Sequence, residues 1–368
     1  MTDVIVVGAG VVGLSFAVAA ARQGFSVEIY DRKSCPEAPR KESSNVLAIN
    51  PSSRRFLEEE GVWSLIGDHY KTPYTEMSVK DGTGHGGITF SAAEMNLTEL
   101  GYIVDQSALL AALVAVAHRR ETLQLNWQAG FDIQDVEVPL LVAADGVHSE
   151  IRQQLKLRTV GFDYQQTATV CTARIARPHG YCARQWFLQG GPVALLPLAD
   201  QYRVAVVWSC FDSRAALDEE VFLEELQLAT EGELGTIESV GPRFEFPLRQ
   251  QQALRYVTDG VALLGDAAHA IHPLAGQGAN LGFSDARVLI TELSAARVEG
   301  LLPGDLKVLK RYEKSRRGEN HVAGLVMEGF HRLFTSGSIW SMLLRNHGLR
   351  FVDGNAMLKK LAIGLASG

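Results

Sequence analysis

The chain has 368 residues, a formal net charge of −7 and an isoelectric point near 5.8. This length allows two or three domains and a sizeable core, while the acidic balance and the lack of a basic block argue against nucleic acid as a partner. No apolar stretch reaches the ~20 residues that a membrane-spanning helix needs. The first predicted strand begins too close to Met1 for a signal peptide, so we expect a cytoplasmic protein. Its four cysteines lack metal-ligand spacing, which predicts free thiols and no metal site.

A glycine-rich segment directly follows the first predicted strand. The β-branched run Val4 to Val7 is typical of a buried parallel strand. Three glycines come next with GxGxxG spacing: Gly8, Gly10 and Gly13. A second strand ends at Asp31, roughly 20 residues further on, where an acid binds ribose hydroxyls. Together these features predict a dinucleotide-binding unit. Arg32 follows the acid, and it either lies against the adenine or is simply solvated.

Each glycine of such a unit has its own task. Gly8 allows the tight turn after the strand, and Gly10 lets a pyrophosphate approach the start of the helix. Gly13 lets the helix pack closely on the strand. The motif alone does not separate FAD from NAD.

A second glycine-rich segment begins about 235 residues after Asp31. A short apolar strand ends at Leu264, Asp266 follows, and a loop rich in Pro and Gly leads to a predicted helix from about Asn280. An acid followed by exposed amides suits a ligand with a polyol chain and a ring oxygen that becomes anionic, such as a reduced flavin. The alternative is a tight strand-to-helix junction with a capping Asp. Because a nicotinamide domain needs no second polyol-binding acid, the two acids favour FAD.

The predicted elements divide into three parts. The FAD-binding part is discontinuous and comprises residues 1–72, 100–156 and 255–300. Two β-rich insertions, 73–99 and 157–254, form the substrate part, with a predicted hairpin around 199–201 and one helix over 219–229. Residues 301–368 are predicted to be helical.

The sequence resembles the class A flavoprotein monooxygenases and, within them, the ubiquinone-biosynthesis hydroxylase family. The segment from His272 to Asp285 reads like the family signature, and the segment from Ala144 to Arg152 is similar to the Asp-Gly motif that serves FAD and pyridine nucleotide in this class. Further similar stretches are Gly101 to Gln106 and Arg345 to Leu349. The resemblance implies an α/β fold like that of para-hydroxybenzoate hydroxylase. Such a fold has a Rossmann-type FAD-binding domain, an inserted antiparallel β-sheet substrate domain and C-terminal helices.

The resemblance also implies a reaction. NADPH or NADH reduces the FAD, O₂ adds to form a C4a-hydroperoxide, and an aromatic ring is hydroxylated, here the ring of a polyprenylated phenol of ubiquinone biosynthesis. A prenylated substrate implies peripheral contact with the inner membrane or with a biosynthetic complex. The amphipathic stretch from Phe334 to Leu365 is either such an interfacial surface or a set of helices packed on the FAD-binding domain.

With the resemblance, thirteen residues are predicted to bind the cofactor. Asp266 is assigned to the ribityl chain, and the loop from Pro273 to Gly278 to the isoalloxazine. Gln106 is expected to reach the phosphates or the ribityl chain, and Asp145 either holds a loop that touches FAD or caps a turn. The full set is Gly8, Gly10, Gly13, Asp31, Arg32, Gln106, Asp145, Asp266, Pro273, Gly276, Gln277, Gly278 and Asn280.

The remaining side chains near these motifs have open roles. Arg152 either serves the pyrophosphate or pairs with a neighbouring acid. His269 and His272 flank the flavin loop, but a histidine beside a glycine-rich loop is more often structural, and no catalytic base is assigned. Four residues of the second insertion either line a substrate pocket or, as strand alternation favours for most of them, pack in a core: Trp186, Phe187, Pro197 and Trp208.

Two features depart from the family pattern. Asn45 stands where the family usually has an Arg beside the flavin, and the segment from Asn126 to Pro139 is shorter than the usual hairpin. They keep open the alternative of a non-catalytic flavoprotein or assembly subunit. Another flavin enzyme of the same fold, such as a hydroxylase of a small soluble aromatic, is a separate alternative. A halogenase of this fold is disfavoured because the sequence has no Trp-x-Trp.

Overall fold

The structure is a computed structural model that describes residues 2–36, 38–39, 44–82, 86–133, 138–271 and 277–335. Seven α-helices lie in this part of the chain: α1 Val11–Arg22, α2 Pro51–Glu59, α3 Gln106–Ala117, α4 Glu150–Gln154, α5 Glu219–Ala229, α6 Gln277–Val298 and α7 Leu306–Thr335. The first nine strands are β1 Val4–Val7, β2 Val27–Asp31, β3 Val46–Ile49, β4 Lys71–Tyr74, β5 Glu76–Asp81, β6 Gly87–Ser91, β7 Gly101–Asp105, β8 Leu123–Trp127 and β9 Leu140–Ala143. The other nine are β10 Thr159–Ile175, β11 Cys182–Leu188, β12 Gly191–Pro197, β13 Arg203–Cys210, β14 Ile237–Val240, β15 Phe244–Ala253, β16 Val257–Thr258, β17 Val261–Leu263 and β18 His269–Ala270.

The nucleotide-binding part is built on a six-stranded sheet with the order β16-β17-β9-β1-β2-β8. Its five strands from β17 to β8 are parallel. The central strands β1 and β9 are apolar along their whole length and almost fully buried, as expected of strands that are covered on both faces. Helix α1 packs against α3 and α6, so the core of this part lies between the sheet and these helices.

A second sheet has nine strands, in the order β18-β15-β10-β13-β12-β11-β5-β6, with β14 beside β10. The hairpin predicted around 199–201 is the antiparallel pair β12–β13, and the predicted helix is α5. The sheet is antiparallel except where β5 runs parallel to β11. A parallel pair needs a long connection, and here the chain passes through much of the nucleotide-binding part between these two strands.

Helix α5 covers one face of the nine-stranded sheet. Trp186 and Trp208 lie in the core between them, packed with Phe222 and Leu226. The core-packing role is therefore correct for both tryptophans.

A third, three-stranded sheet is antiparallel and has the order β3-β7-β4. The connection from β8 to β9 is short, and its described residues, 128–133 and 138–139, contain no strand. The shortened hairpin noted in the sequence is thus a simple connection over these residues.

Helix α7 packs against α6 and runs 30 residues. None of the helices in the described ranges is long and apolar enough to cross a membrane. Most of the stretch from Phe334 to Leu365 lies outside the described residues, and both interpretations of it stay predictions.

Candidate flavin site

Four of the predicted site residues lie along one edge of the six-stranded sheet. Strands β17, β9, β1 and β2 are neighbours and parallel, so their carboxyl ends lie side by side. Asp266, Asp145, Gly8 and Asp31 stand at or just beyond those four ends. The crevice beyond the carboxyl ends of parallel strands is where ligands bind in such sheets. Three backbone N–H···O bonds of 2.8 Å join the strand ends: Leu264 to Ala143, Ala144 to Val7 and Gly8 to Tyr30.

The three glycines of the first motif are required for different reasons. Gly8 has φ +105°, and a Cβ there would lie 2.3 Å from the Ala144 carbonyl oxygen. A Cβ at Gly13 would lie 2.0 Å from the Gly8 oxygen. A Cβ at Gly10 would meet nothing within 4 Å. The protein's own packing therefore explains Gly8 and Gly13, whereas Gly10 leaves open space at the start of α1, which suits a ligand there.

Gly10 is also the N-cap of α1, and no side chain caps that helix end. The first turn of α1 contains no acidic residue. Its backbone N–H groups and the positive end of the helix dipole are thus available to an anion. This is the arrangement that a pyrophosphate requires.

The Asp31 carboxylate holds the glycine loop from the end of β2. Its Oδ2 accepts a hydrogen bond from Ala9 N at 2.7 Å and its Oδ1 accepts one from Lys33 N at 2.8 Å. The neighbouring Arg32 forms a two-pronged ion pair with Glu150 at the start of α4. Arg32 is therefore paired rather than simply solvated, and its contact with adenine stays a prediction.

Asp145 caps α4 with one carboxylate oxygen only. Its Oδ2 accepts from Glu150 N at 2.8 Å and from Ile151 N at 3.3 Å. Its Oδ1 is buried and has no hydrogen-bond partner among the described residues. A buried acceptor left without a partner costs free energy, so this oxygen is available to a ligand in the crevice.

Arg152 joins two of the loops at the site. Its guanidinium donates to the Val147 oxygen and to the Ala267 oxygen, both at 2.7 Å. Burial lowers the pKa of Arg152, and the charge of Asp145 opposes that shift. Both of these partners are backbone carbonyls, so no ion pair with an acid forms here, and a role of Arg152 toward the pyrophosphate stays a prediction.

Asp266 sits in a short 3₁₀ turn, Gly265–Ala267. Its side chain is exposed and takes part in no hydrogen bond within the described ranges. Desolvation by the surrounding protein nevertheless raises the pKa of the Asp266 carboxyl, against the effect of nearby His269. An accessible carboxylate without a hydrogen-bond partner among the described residues is available to a ligand, as the predicted ribityl role requires.

Val12 brings the two glycine-rich motifs into contact. A Cβ at Gly265 would lie 3.4 Å from Val12 Cγ1, and a Cβ at Gly282 would lie 2.4 Å from Val12 Cγ2. The side chain of Val12 therefore fills the space that these two glycines leave. Nothing in the sequence pointed to this contact, because Val12 occupies a variable position of the motif.

Asn280 and Gln106 are held at opposite ends of β3, Asn280 beside its last residues and Gln106 beside Asn45, which precedes its first. Asn280 is buried; its Oδ1 accepts from Asn50 N at 3.0 Å and its Nδ2 donates to the Ala48 oxygen at 2.8 Å. The backbone N of Gln106 donates to the oxygen of exposed Asn45 at 3.0 Å. Asn280 thus fastens the start of α6, and direct cofactor contacts of Asn280 and Gln106 stay predictions.

The remaining predicted residues are on or before the first turn of α6. Gln277 begins the helix, and a Cβ at Gly278 would meet nothing within 4 Å. Pro273 and Gly276, like His272, lie outside the described residues.

His269 has a structural partner. Its Nε2 lies 2.5 Å from Asp285 Oδ2, and both side chains are buried. This contact supports the structural role, and no catalytic base is assigned. Within the described part of the chain, no group of His, Cys, Asp and Glu side chains could hold a metal ion.

Comparison with known proteins decides the family. A model of the FAD binding domain matches residues 126–324, more than half of the chain, and a model of the NAD(P)-binding Rossmann-like domain matches residues 6–36. The ubiquinone hydroxylase UbiL of Rhodospirillum rubrum is 34% identical over 100% of this chain and 90% of its own length. This chain belongs to the ubiquinone-biosynthesis hydroxylase family of FAD-dependent monooxygenases.

A further relative agrees with that placement, and a solved structure agrees with the fold. The 3-demethoxyubiquinol 3-hydroxylase of Escherichia coli is 32% identical over 100% of this chain and 98% of its own length. The crystal structure of p-nitrophenol 4-monooxygenase PnpA from Pseudomonas putida DLL-E4 superimposes with a TM-score of 0.79 at 17% identity, covering 100% of this chain and 98% of that one. The predicted family and fold class are confirmed.

The residues of the site fit FAD, the cofactor of this family. Gly10 leaves room at the uncapped start of α1, Asp145 has one buried oxygen without a hydrogen-bond partner among the described residues, and the Asp266 side chain is exposed. We propose that the pyrophosphate binds at the start of α1 and that Asp266 binds the ribityl chain.

Asp266→Ala should weaken FAD binding about 10- to 100-fold, because a charge-assisted hydrogen bond contributes about 1.5–3 kcal/mol. Folding should change little, since the carboxylate bonds to no other described residue. Fluorescence titration of the apoprotein with FAD measures the dissociation constant. Asp259→Ala, at an exposed position shortly before β17, is the control. Equal FAD affinity in both variants would remove Asp266 from the site.

Proposed function

We propose that this monooxygenase hydroxylates the ring of a polyprenylated phenol intermediate of ubiquinone biosynthesis, with NADPH or NADH as electron donor and O₂ as oxidant. The observation that carries the proposal is similarity over the full chain to a ubiquinone hydroxylase, 34% identical with 100% and 90% of the two chains covered. The geometry supports it, because the residues that would hold the flavin are present and well positioned. The bound flavin would supply electron transfer and oxygen activation.

The protein's own contribution is to hold the cofactor in a fixed orientation and to keep water away from the flavin. The free N–H groups of α1 bind the pyrophosphate, and Asp31 and Asp266 hold the two polyol parts of the cofactor. The nine-stranded sheet is fastened beside the flavin loop, since Gln251 and Gln252 of β15 pair with Ala270 and His269 of β18. A sheet in this position excludes water from the flavin, which keeps reactive species from being lost to solvent.

Strand β15 also carries exposed apolar side chains that could contact an apolar substrate. Phe244 and Phe246 of β15 are 53% and 49% exposed. They pair with Val170 and Ala168 of β10, so the beginning of β15 carries exposed apolar side chains and its end joins the flavin loop. This continuity supports a substrate with a long apolar tail. A tail that is insoluble in water also implies peripheral membrane contact or delivery by a biosynthetic complex.

The test compares a phenol that carries a prenyl tail with the same phenol without it. We expect kcat/KM for NAD(P)H-dependent hydroxylation to be at least about tenfold higher with the tail, which corresponds to about 1.4 kcal/mol of additional binding in the transition state. Product formation is measured together with NAD(P)H oxidation, so that uncoupled oxidation is not counted. We expect part of the protein to float with anionic liposomes at low salt and less at high salt.

Other outcomes identify the alternatives. Efficient turnover of small soluble phenols, no gain from the tail and no flotation would establish a hydroxylase of soluble aromatics. A protein that retains FAD but oxidises NAD(P)H no faster with any phenol would be a non-catalytic flavoprotein or assembly subunit.

A further inference from the structure

A buried polar network lies directly behind the loop that carries Asp266. Its centre is Asp285 of α6, which is 0% exposed and belongs to no part of the site described above except through His269. The Asp285 carboxylate accepts four hydrogen bonds from described residues. The donors are Gly265 N at 3.1 Å, His269 Nε2 at 2.5 Å, Arg316 Nε at 2.8 Å and Asn320 Nδ2 at 3.1 Å.

The two oxygens of Asp285 face different parts of the molecule. Oδ2 binds the loop that carries Asp266, because it accepts from Gly265 N before Asp266 and from His269 Nε2 after it. Oδ1 binds α7, through Arg316 and Asn320. The carboxylate thus joins the C-terminal helix to the loop.

The α7 side of this contact is a stripe along one face of the helix. Tyr312, Arg316 and Asn320 are spaced four residues apart, which places them on one face, and all three are buried. The Tyr312 hydroxyl donates to the Leu263 oxygen at 2.7 Å. Arg316 Nη2 also donates to Asn320 Oδ1 at 2.8 Å. One face of α7 therefore supports both the strand before Asp266 and the loop that contains it.

Charge explains why the network holds together. Burial disfavours the Asp285 carboxylate, but His269 and Arg316 together hold its pKa below the usual range. Burial likewise opposes the charge of Arg316, but Asp285 keeps its pKa raised. Buried ion pairs commonly contribute little net stability compared with apolar residues of similar size. The Asp285–Arg316 pair is better explained by the loop that the Asp285 carboxylate holds in place.

Asp266 is fixed from both sides by this arrangement. Gly265, the residue before it, donates its N–H to Asp285, and the oxygen of Ala267, the residue after it, accepts from Arg152. A hydrogen bond at each neighbour sets the direction of the backbone and therefore of the Asp266 side chain. Such outer contacts commonly change ligand affinity 10- to 100-fold in metal sites, where they orient the ligating groups.

We propose that Arg316 and Asp285 are positioning residues for FAD, and that α7 is a part of the flavin site which acts through Asp285 on the loop that carries Asp266. The inference rests on the FAD-binding role of Asp266, and it requires no particular substrate.

The test measures FAD binding by Arg316→Met, which keeps a long side chain and removes the cation. We expect the dissociation constant for FAD to rise about 10- to 100-fold and the visible circular dichroism of the bound flavin to change, because the loop against the flavin is differently oriented. Asp285→Asn, which keeps the side-chain volume but leaves one fewer strong acceptor, should show the same two changes. The matched control is Arg311→Met on the same helix, where the arginine pairs with Glu299 on the surface; its FAD affinity should stay within about twofold of the wild type.

Thermal unfolding of the apoproteins separates positioning from simple structural support. A variant that unfolds at a lower temperature but binds FAD with unchanged affinity and unchanged visible circular dichroism would overturn the proposal. If Arg316→Met does not fold, Asp285→Asn decides by the same criteria. FAD binding is measured without substrate, so a failure to hydroxylate prenylated phenols would count against the proposed function and leave this result intact.

Discussion

We expect the Gly10→Val variant to fold like the wild type and to lose FAD. A Cβ at this position meets no protein atom within 4 Å, so the apoprotein should lose at most about 1 kcal/mol, from the poorer N-cap residue. The same space at the uncapped start of α1 is where the pyrophosphate must approach the backbone. The dissociation constant for FAD should rise at least about 100-fold, or about 2.7 kcal/mol.

The measurement is FAD retention after purification, followed by titration of the apoprotein and by its thermal unfolding without FAD. Gly318→Val is the control, because Gly318 lies on the exposed side of α7 and a Cβ there also meets nothing within 4 Å. A folded Gly10→Val protein that stays yellow would refute the assignment of the pyrophosphate to this helix end.

The Gly13→Ala variant should fail at an earlier stage, in folding itself. Even the single added Cβ would lie 2.0 Å from the Gly8 oxygen and 3.1 Å from the Ala144 side chain. Either α1 or the turn after β1 must then move, and overpacking of this kind costs about 1–3 kcal/mol or more. That is a large part of the roughly 5–15 kcal/mol that keeps a typical domain folded.

A Gly→Ala substitution at a position with space for the Cβ serves as the control for the loss of stability. Gly318→Ala should be neutral or stabilising by up to about 1 kcal/mol, because alanine is the better helix former and has space there. Soluble yield and apoprotein unfolding temperature compare the two variants. A Gly13→Ala protein as stable as Gly318→Ala would contradict the close packing of α1 on β1.

The two glycine substitutions also separate what can be read from a sequence from what cannot. The GxGxxG spacing with a strand before it and an acid after it is a local pattern, and local patterns follow from backbone sterics and helix ends. For that reason Gly8, Gly10, Gly13 and Asp31 are predicted as site residues from the amino-acid sequence alone. The spacing does not show that Gly10, unlike Gly8 and Gly13, has open space around it, since that depends on which atoms of other segments surround each glycine.

Asp266 and Asp145 illustrate the same division. Their position after short apolar strands, together with the family resemblance, identifies both as site residues. Only the strand order β17-β9-β1-β2 places their loops beside the glycine loop, because parallel strands that are distant in sequence become neighbours through sheet pairing. Val12, which fills the space left by Gly265 and Gly282, gives no signal in the sequence for the same reason.

The sequence by itself determined the cofactor class, the family and the residues at the strand ends, because these depend on short motifs with a fixed local geometry. The tertiary structure decided how those residues are held. Arg152 has backbone carbonyls as its partners, and His269 pairs with Asp285. Arg316 lies 50 residues after Asp266 in the chain. Because α7 packs against α6, it binds Asp285 and through that carboxylate is linked to the loop that carries Asp266. Contacts of this kind join residues far apart in the chain, and burial makes each polar group take whatever partner the packing brings within reach.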